Sequence, residues 1–218
     1  MEEYLKRLPQ QLRGIITAAQ KISDQTGLKV YLVGGFVRDL ILGVPNLDMD
    51  LVVEGDGLKF AEELCAVLGG KLTRHRRFGT ATVFTSDKLK IDVATARKEE
   101  YIKPGALPNV SPGEIKDDLL RRDFTINAMA ISISKNDFGK FIDFFSGKVD
   151  LAHKYIRVMH DLSFEDDPTR ILRAIRFEQR YGLKMEARTN KLLSLALKRN
   201  MLEHVDKQRI RDEIIARI

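Results

Sequence analysis

Two aspartates stand two residues apart in Leu47-Asp48-Met49-Asp50-Leu51-Val52-Val53. On a strand, residues with that spacing project from one face, with Cα atoms roughly 6.5–7 Å apart. Carboxylates held so close repel each other unless cations sit between them. Hard divalent ions such as Mg2+ take carboxylate oxygens and keep waters or substrate phosphates as their other ligands. Two such ions, about 3.5–4 Å apart, activate an attacking hydroxyl and steady a leaving phosphate. The alternative is an acidic pair beside a turn, exposed to water, and a bare Asp-x-Asp is compatible with both.

The neighbouring residues favour phosphate chemistry. Gly34-Gly35-Phe36-Val37-Arg38-Asp39 lies about ten residues upstream. Two glycines after a strand let backbone N–H groups approach an anion, and a helix beginning there adds its dipole. Arg38 offers a charge-assisted bond to a phosphate. A third carboxylate, Asp92, interrupts the apolar run Lys90 to Thr95. Buried alone it would be costly; beside the other two it could help hold a metal and accept the hydroxyl proton. An edge-strand surface residue is the other reading.

These side chains need a sheet to carry them. Lys29 to Val33 reads as a short apolar strand broken by Gly34-Gly35, and Val37 to Leu42 as one or two helical turns. Pro45-Asn46 marks a loop, and Leu47 to Val53 a second strand. Thr80 to Thr85 and Lys90 to Thr95 pair as a hairpin around Ser86-Asp87. Met129 to Ile133 and Phe141 to Phe144 are further short strands. Leu5 to Thr26 has helical spacing at Leu12, Ile15, Ile16, Ala19 and Ile22, and Gly27 ends it. Gly55 and Gly57 open a helix to about Leu68. Ile115 to Ala130 reads as helical for much of its length. Lys103 to Gly113, with Pro104, Pro108 and Pro112, reads as a mobile loop. Beyond Asp161 the pattern is almost wholly helical, with Pro168 suited to a first turn and Gly182 to a stop. The expectation is an α+β head with a mixed sheet, residues 1–160, followed by an all-helical segment, 161–218. Arg209 to Ile218 runs on without a stop signal, as if that segment were incomplete.

The 218 residues are 44% hydrophobic and 31% charged, ordinary for a globular protein that buries its own core. No run approaches the roughly 18 apolar residues of a membrane span, so no membrane partner is expected. The charged N-terminus lacks a signal core. A lone Cys65 excludes an internal disulfide, reads as a buried small hydrophobe, and fits a reducing, cytoplasmic location. Of the net charge of +6, +5 lies in Leu151 to Ile218, where 15 Lys/Arg face 10 Asp/Glu. Such a segment attracts a polyanion, or is simply a solvated helical surface. His75, Arg76 and Arg77 are open to the same two readings.

Four blocks, in order, carry a family resemblance: Gly34 to Asp39; Asp48-Met49-Asp50; Arg121-Arg122-Asp123-Phe124-Thr125-Ile126-Asn127-Ala128; and Asp166-Asp167-Pro168-Thr169-Arg170-Ile171-Leu172-Arg173-Ala174-Ile175-Arg176-Phe177. From about Lys29 to Phe177 the chain resembles the class II tRNA nucleotidyltransferases and bacterial poly(A) polymerases. The resemblance implies a polymerase-beta-like nucleotidyltransferase head followed by a helical neck. Gly34, Gly35 and Arg38 would lie against a triphosphate. Asp48 and Asp50 would hold two Mg2+ ions, with Asp92 as third carboxylate. Arg121, Arg122, Asp123 and Asn127 would handle the ribose and phosphates. Asp167 to Arg176 would read the base, and Lys98 to Lys116 would be a loop that helps switch base specificity. Position 166 is aspartate where the family usually has glutamate. The body and tail helices that grip tRNA in the family are not in these residues.

Asp167 and Arg170, three apart on an expected helix, would share a face. One accepts hydrogen bonds and the other donates. Cytosine and adenine each present an amino donor beside a ring-nitrogen acceptor, so one pair suits both. A surface salt bridge is the alternative. Arg173 and Arg176 continue the spacing, either along a phosphate path or at a domain junction. The implied reaction is transfer of AMP and/or CMP from ATP or CTP to the tRNA 3′ end, releasing pyrophosphate. A poly(A) polymerase and a noncatalytic RNA-binding module are the rivals.

Overall fold

Proline 9 divides the N-terminal amphipathic run. The computed structural model describes residues 1–75 and 78–215. In it a short helix α1 (Glu2–Lys6) stops before Pro9, which takes an extended conformation and leads into α2 (Gln10–Thr26). Leu12, Ile15, Ile16, Ala19 and Ile22 form the buried face of α2. Gly27 ends it in the left-handed conformation, with φ 72°.

The chain then builds β1 (Lys29–Val33), α3 (Gly34–Leu42), β2 (Met49–Glu54), α4 (Gly57–Leu68), β3 (Lys71–His75), β4 (Thr80–Phe84) and β5 (Lys90–Thr95). Next come β6 (Arg97–Glu100), β7 (Asn109–Pro112), α5 (Ile115–Leu120), β8 (Ala130–Ser132) and β9 (Phe141–Ile142). The main sheet has seven strands in the order β3-β4-β5-β2-β1-β8-β9. The β2–β5 pair is parallel and the others antiparallel, so the sheet is mixed as expected. Parallel pairing needs a crossover, and α4 with the β3–β4 hairpin supplies it. Leu51, Val52 and Val53 in β2 and Val30 to Val33 in β1 are buried without alternation, as strands covered on both faces should be. Helices α2 and α4 pack on each other and on the sheet. Cys65, on α4, is half-buried rather than buried.

Three expectations need correction. The helix expected over Ile115 to Ala130 stops at Leu120, and a 3-10 turn at Thr125–Asn127 precedes β8. The stretch expected to be a mobile loop contains β7, which pairs with β6. The glycines after β1 do not merely break the strand: Gly34 and Gly35 are themselves the first residues of α3.

The chain forms two compact units that alternate along the sequence. The first comprises residues 1–98, 111–120 and 127–144; the second, residues 99–110, 121–126 and 145–218. Residues 145–160 join the second unit because β10 (Tyr155–Ile156) pairs with β11 (Lys184–Met185) and Thr125 donates to Asp150, 2.7 Å away. The second unit also holds α6 (Gly147–Ala152), α7 (Ser163–Asp166), α8 (Thr169–Tyr181), α9 (Ala187–Lys198) and α10 (Lys207–Ile215). Phe124 and Phe177 meet edge-to-face in its core, with centroids 5.8 Å apart. Among the described residues no helix is long and apolar enough to cross a membrane.

Candidate active site

The sheet of the first unit presents a row of polar side chains. Asp50 on β2 is in register with Asp92 on β5, and Asp92 with Thr82 on β4. Residues in register on neighbouring strands project from the same face, with backbones about 4.8 Å apart. The Thr82 hydroxyl donates to Asp92 Oδ1 at 2.7 Å, and Lys90 Nζ donates to Oδ2 at 2.6 Å. Asp92 is therefore half-buried but paired at both oxygens. It is neither a lone buried charge nor an edge-strand residue, since β5 lies between β4 and β2.

Lys90 shows where the negative charge collects. Its ammonium is held above the usual lysine range first by the hydrogen bond to Asp92, then by the charges of Asp92, Asp48 and Asp50, with burial opposing. One cation thus feels all three carboxylates picked out by sequence. Sequence reasoning missed Lys90 and Thr82. Lys90 was legible: it lies two residues from Asp92 and so shares its face.

Asp48 departs from expectation. Strand β2 begins at Met49, so the period-two argument does not place Asp48 on the face of Asp50. The cause is local. Asn46 Oδ1 accepts from the Asp48 backbone N–H at 2.9 Å, an Asx-type turn that keeps residues 46–48 out of the ladder. Asp48 is consequently exposed, while Asp50 is half-buried. Among the described residues no group of three His, Cys, Asp or Glu side chains is arranged to hold a metal ion as it stands.

Gly34 and Gly35 start α3 directly from β1. Gly34 has φ 67° and donates its N–H to Met129 O. A side chain there would be strained. A Cβ on Gly35 would lie 3.4 Å from Arg38 NH2, so the glycine surface rests on the guanidinium. Arg38 is buried, 5% exposed, despite its charge. Its Nε and NH2 reach Asp39 Oδ1, both at 2.8 Å, and its NH1 donates to Asn127 Oδ1 at 2.6 Å. Asn127 thereby joins the glycine-arginine block across 89 residues of sequence. Buried charge is tolerable when paired and hydrogen-bonded in this way.

The Arg121 to Asn127 block is divided: Asn127 belongs to the first unit, and residues 121–126 to the second. Within the second unit Arg121 NH1 donates to Glu99 Oε1 at 3.0 Å, and Tyr101 donates to Glu99 Oε2 at 2.9 Å. Burial, then the Glu99 charge, pushes the Tyr101 hydroxyl far up. Asp123 accepts from the Phe124 N–H and from the Arg173 fork, at 2.9 and 2.7 Å. Arg122 is half-buried. Arg173 and Arg176 both reach Glu213 on α10.

The expected Asp167–Arg170 geometry also needs correction. Helix α8 begins at Thr169, and Asp167 is extended, with φ −137° and ψ 94°. A residue before proline is pushed out of helical conformation, and Pro168 follows Asp167. The Asp167 carboxylate accepts from Thr169 N and Oγ1, just ahead of the first helical turn, and pairs with Arg209 at 2.9 Å. Arg170 is buried and donates to the carbonyls of Arg121, at 2.9 Å, and Ser163, at 3.4 Å. The two do not share a helix face, although both charges act on the Tyr101 hydroxyl.

Of the basic turn, His75 ends β3 and is exposed; Arg76 and Arg77 lie outside the described residues.

Residues 30–157 match the family model described as the poly A polymerase head domain. The chain is 45% identical over 210 residues to an A-adding tRNA nucleotidyltransferase of Geobacter sulfurreducens, covering 96% of this chain and 24% of that protein. It is 46% identical over 190 residues to an A-adding tRNA nucleotidyltransferase of Halalkalibacterium halodurans, covering 86% and 44%. It superposes on the Thermotoga maritima CCA-adding enzyme complexed with tRNA with a TM-score of 0.86 at 47% identity, over 97% of this chain and 48% of that one. The chain thus spans a quarter to a half of the length of these relatives.

Proposed function

The chain belongs to the poly A polymerase head domain family, and from that premise we propose that it carries the catalytic centre of a template-independent tRNA nucleotidyltransferase. The reaction is transfer of AMP and/or CMP from ATP or CTP to the 3′ end of tRNA. The terminal ribose hydroxyl attacks the α-phosphate in line and pyrophosphate leaves. Functionally, residues 1–160 act as the nucleotidyltransferase head and 161–218 as the start of a helical neck. The observation that carries the reading is the in-register pair Asp50 and Asp92, with Asp48 just ahead of the strand and one lysine ammonium answering to all three charges.

The donor set fits hard divalent ions, since it is made of carboxylate oxygens and already attracts a cation. Asp48 and Asp50 would hold Mg2+, two ions in this proposal, which supplies the charge that activates the hydroxyl and neutralises the departing phosphates. Asp92 takes the hydroxyl proton once Lys90 and Thr82 release it. Gly34, Gly35 and Arg38 steady the triphosphate at the α3 N-terminus, and Asn127 keeps the guanidinium in place. Arg121, Arg122 and Asp123 serve the ribose and phosphates, with Arg173 and Arg176 supporting them. Asp167 and Arg170 offer an acceptor and a donor that suit cytosine and adenine. They do so from two separately held positions beside Tyr101 rather than as one helix-face pair. The names of the two A-adding relatives favour terminal A addition among the possible products.

The test is incubation of the protein with tRNAs lacking one, two or three terminal residues and each NTP in turn. Single AMP addition to tRNA ending in CC is the expected outcome. Long adenosine tails would make the protein a poly(A) polymerase instead. Binding of RNA without incorporation would make it a noncatalytic module.

A further inference from the structure

A continuous set of hydrogen bonds joins the phosphate-binding block to the Asp-x-Asp segment. Asn127 holds Arg38, and Arg38 holds Asp39 through Oδ1. Asp39 Oδ2 accepts from Asn46 Nδ2 at 2.8 Å, and Asn46 Oδ1 accepts from the Asp48 backbone N–H at 2.9 Å. Arg38, Asp39 and Asn127 are all buried, at 5%, 1% and 5% exposure. Their positions are therefore set by packing as well as by charge, and movement of one must be taken up by its neighbours. Asn46 is half-buried and Asp48 exposed, so the set runs outward from the core to the carboxylate.

Asn46 is the joint. Its amide carries a donor and an acceptor on one rigid plane. Its orientation is settled by its neighbours. Turned over, its oxygen would face the Asp39 carboxylate and its NH2 the Asp48 N–H, repulsive at both ends. The composition of the loop, Val44-Pro45-Asn46-Leu47, leaves no other side chain able to make both bonds.

We propose that Asn46 is a positioning residue that couples the state of Arg38 to the placement of Asp48, so that triphosphate engagement at Gly35 and Arg38 sets the metal-holding carboxylate. This rests on the reading given under Proposed function. Asn46 touches neither substrate nor metal; it acts through the Asp48 main chain. A charge-assisted bond to Asp39 fixes one end, and the Asx-type turn fixes the other. Loss of the Asp39 arm frees the loop while leaving the turn.

Two substitutions separate these arms. Asn46→Ser keeps a hydroxyl able to accept from the Asp48 N–H but cannot reach Asp39; Asn46→Ala loses both. In the full-length protein, kcat, KM for ATP, half-saturating Mn2+ by electron paramagnetic resonance, and melting temperature are measured for each. The coupling predicts that Asn46→Ser loses about tenfold or more in kcat, as expected for a hydrogen bond to a charged group, and nearly as much as Asn46→Ala. KM stays within about threefold, a change of under 1 kcal/mol, half-saturating Mn2+ rises in both variants, and the melting temperatures fall by only the several degrees that the lost bonds cost, leaving both variants folded in the assay. If Asn46 only shapes the turn, Asn46→Ser matches wild type while Asn46→Ala falls, and the coupling is overturned. A loss of kcat that tracks a loss of melting temperature, with the Mn2+ requirement unmoved, also overturns it. A wild type that incorporates no nucleotide defeats the underlying reading and the coupling with it; an active wild type with an indistinguishable Asn46→Ser defeats the coupling alone.

Discussion

Asp50 and Asp92 lie directly opposite one another on β2 and β5, the parallel pair of the sheet. Two like charges at a central, half-buried cross-strand position are costly, because such pairs destabilise a sheet. Thr82 and Lys90 offset that cost at Asp92.

The first prediction concerns Lys90. Removing its ammonium in Lys90→Met leaves Asp92 with only Thr82, and the carboxylates with less compensating charge. Stability in metal-free buffer should fall, and the gain in melting temperature on adding Mg2+ should exceed that of wild type. Thermal melts with and without Mg2+ check this. An equal Mg2+ response in both proteins would separate Lys90 from the cation site.

Asp92→Asn retains the shape and the Thr82 contact but not the charge. If Asp92 takes the hydroxyl proton, turnover falls by about 10²–10⁴-fold, the range for loss of a general base. Circular dichroism should remain that of wild type. Steady-state incorporation assays decide it, and a loss under tenfold would remove Asp92 from that role.

Gly34→Ala tests the strand-to-helix junction. With φ at 67°, an L side chain there costs about 1–2 kcal/mol. Chemical denaturation should show that loss. An unchanged midpoint would mean the junction relaxes without strain.

How much of this was legible in the sequence follows physical lines. Local signals served well: the Thr80–Thr95 hairpin from alternation around a turn, the α2 face from its spacing, the Gly182 stop from a left-handed cap. The site's residue types were also legible, as a constellation. What failed was detail decided by neighbours. Asp48 left the strand because Asn46 formed a turn, and Asp167 left the helix because Pro168 follows it. The Arg38–Asn127 bond joins positions 89 apart, and no local pattern announces it. Helix α5 ends at Leu120, and Phe124, just beyond it, is fully buried against Phe177, a long-range contact that outweighs helical spacing.

The second unit gives a stability prediction. Arg173 pairs with Asp123, whose side chain is 8% exposed against 32% for the arginine. Arg173→Ala removes the charge-assisted fork from a nearly buried carboxylate, which keeps its bond from the Phe124 N–H. The loss should fall below the roughly 3–5 kcal/mol of a fully buried pair, because the arginine is partly solvated. Adding Asp123→Asn should recover part of it, read by denaturant unfolding of the single and double variants. Additive losses would show that the two act independently.

His160 supplies the pH dependence. Burial pushes its imidazole below the ordinary 6.5, opposed by Asp166, which lies 3.6 Å away. Burial favours the neutral ring in the folded state, so the unfolded chain binds more protons just below pH 6.5. The stability from this group is therefore present above pH 6.5 and lost as pH falls through the folded value. Asp166, raised above 3.8 chiefly by burial, contributes in the opposite sense as pH rises past 3.8. Proton NMR titration should place His160 below 6.5, and lower still in Asp166→Asn. A midpoint above 6.5 would reverse the assignment of burial as the dominant cause.

Asp48 and Asp50 are proposed to hold divalent ions beside a bound nucleotide. Crystals of the full-length protein grown with Mn2+ and a nonhydrolysable ATP analogue, measured at the manganese absorption edge, test it most directly. Anomalous density is expected within coordination distance, about 2.0–2.2 Å, of oxygens from both aspartates, with Lys90 displaced from Asp92. Manganese bound elsewhere, with Lys90 still on Asp92 while the analogue is in place, would contradict it.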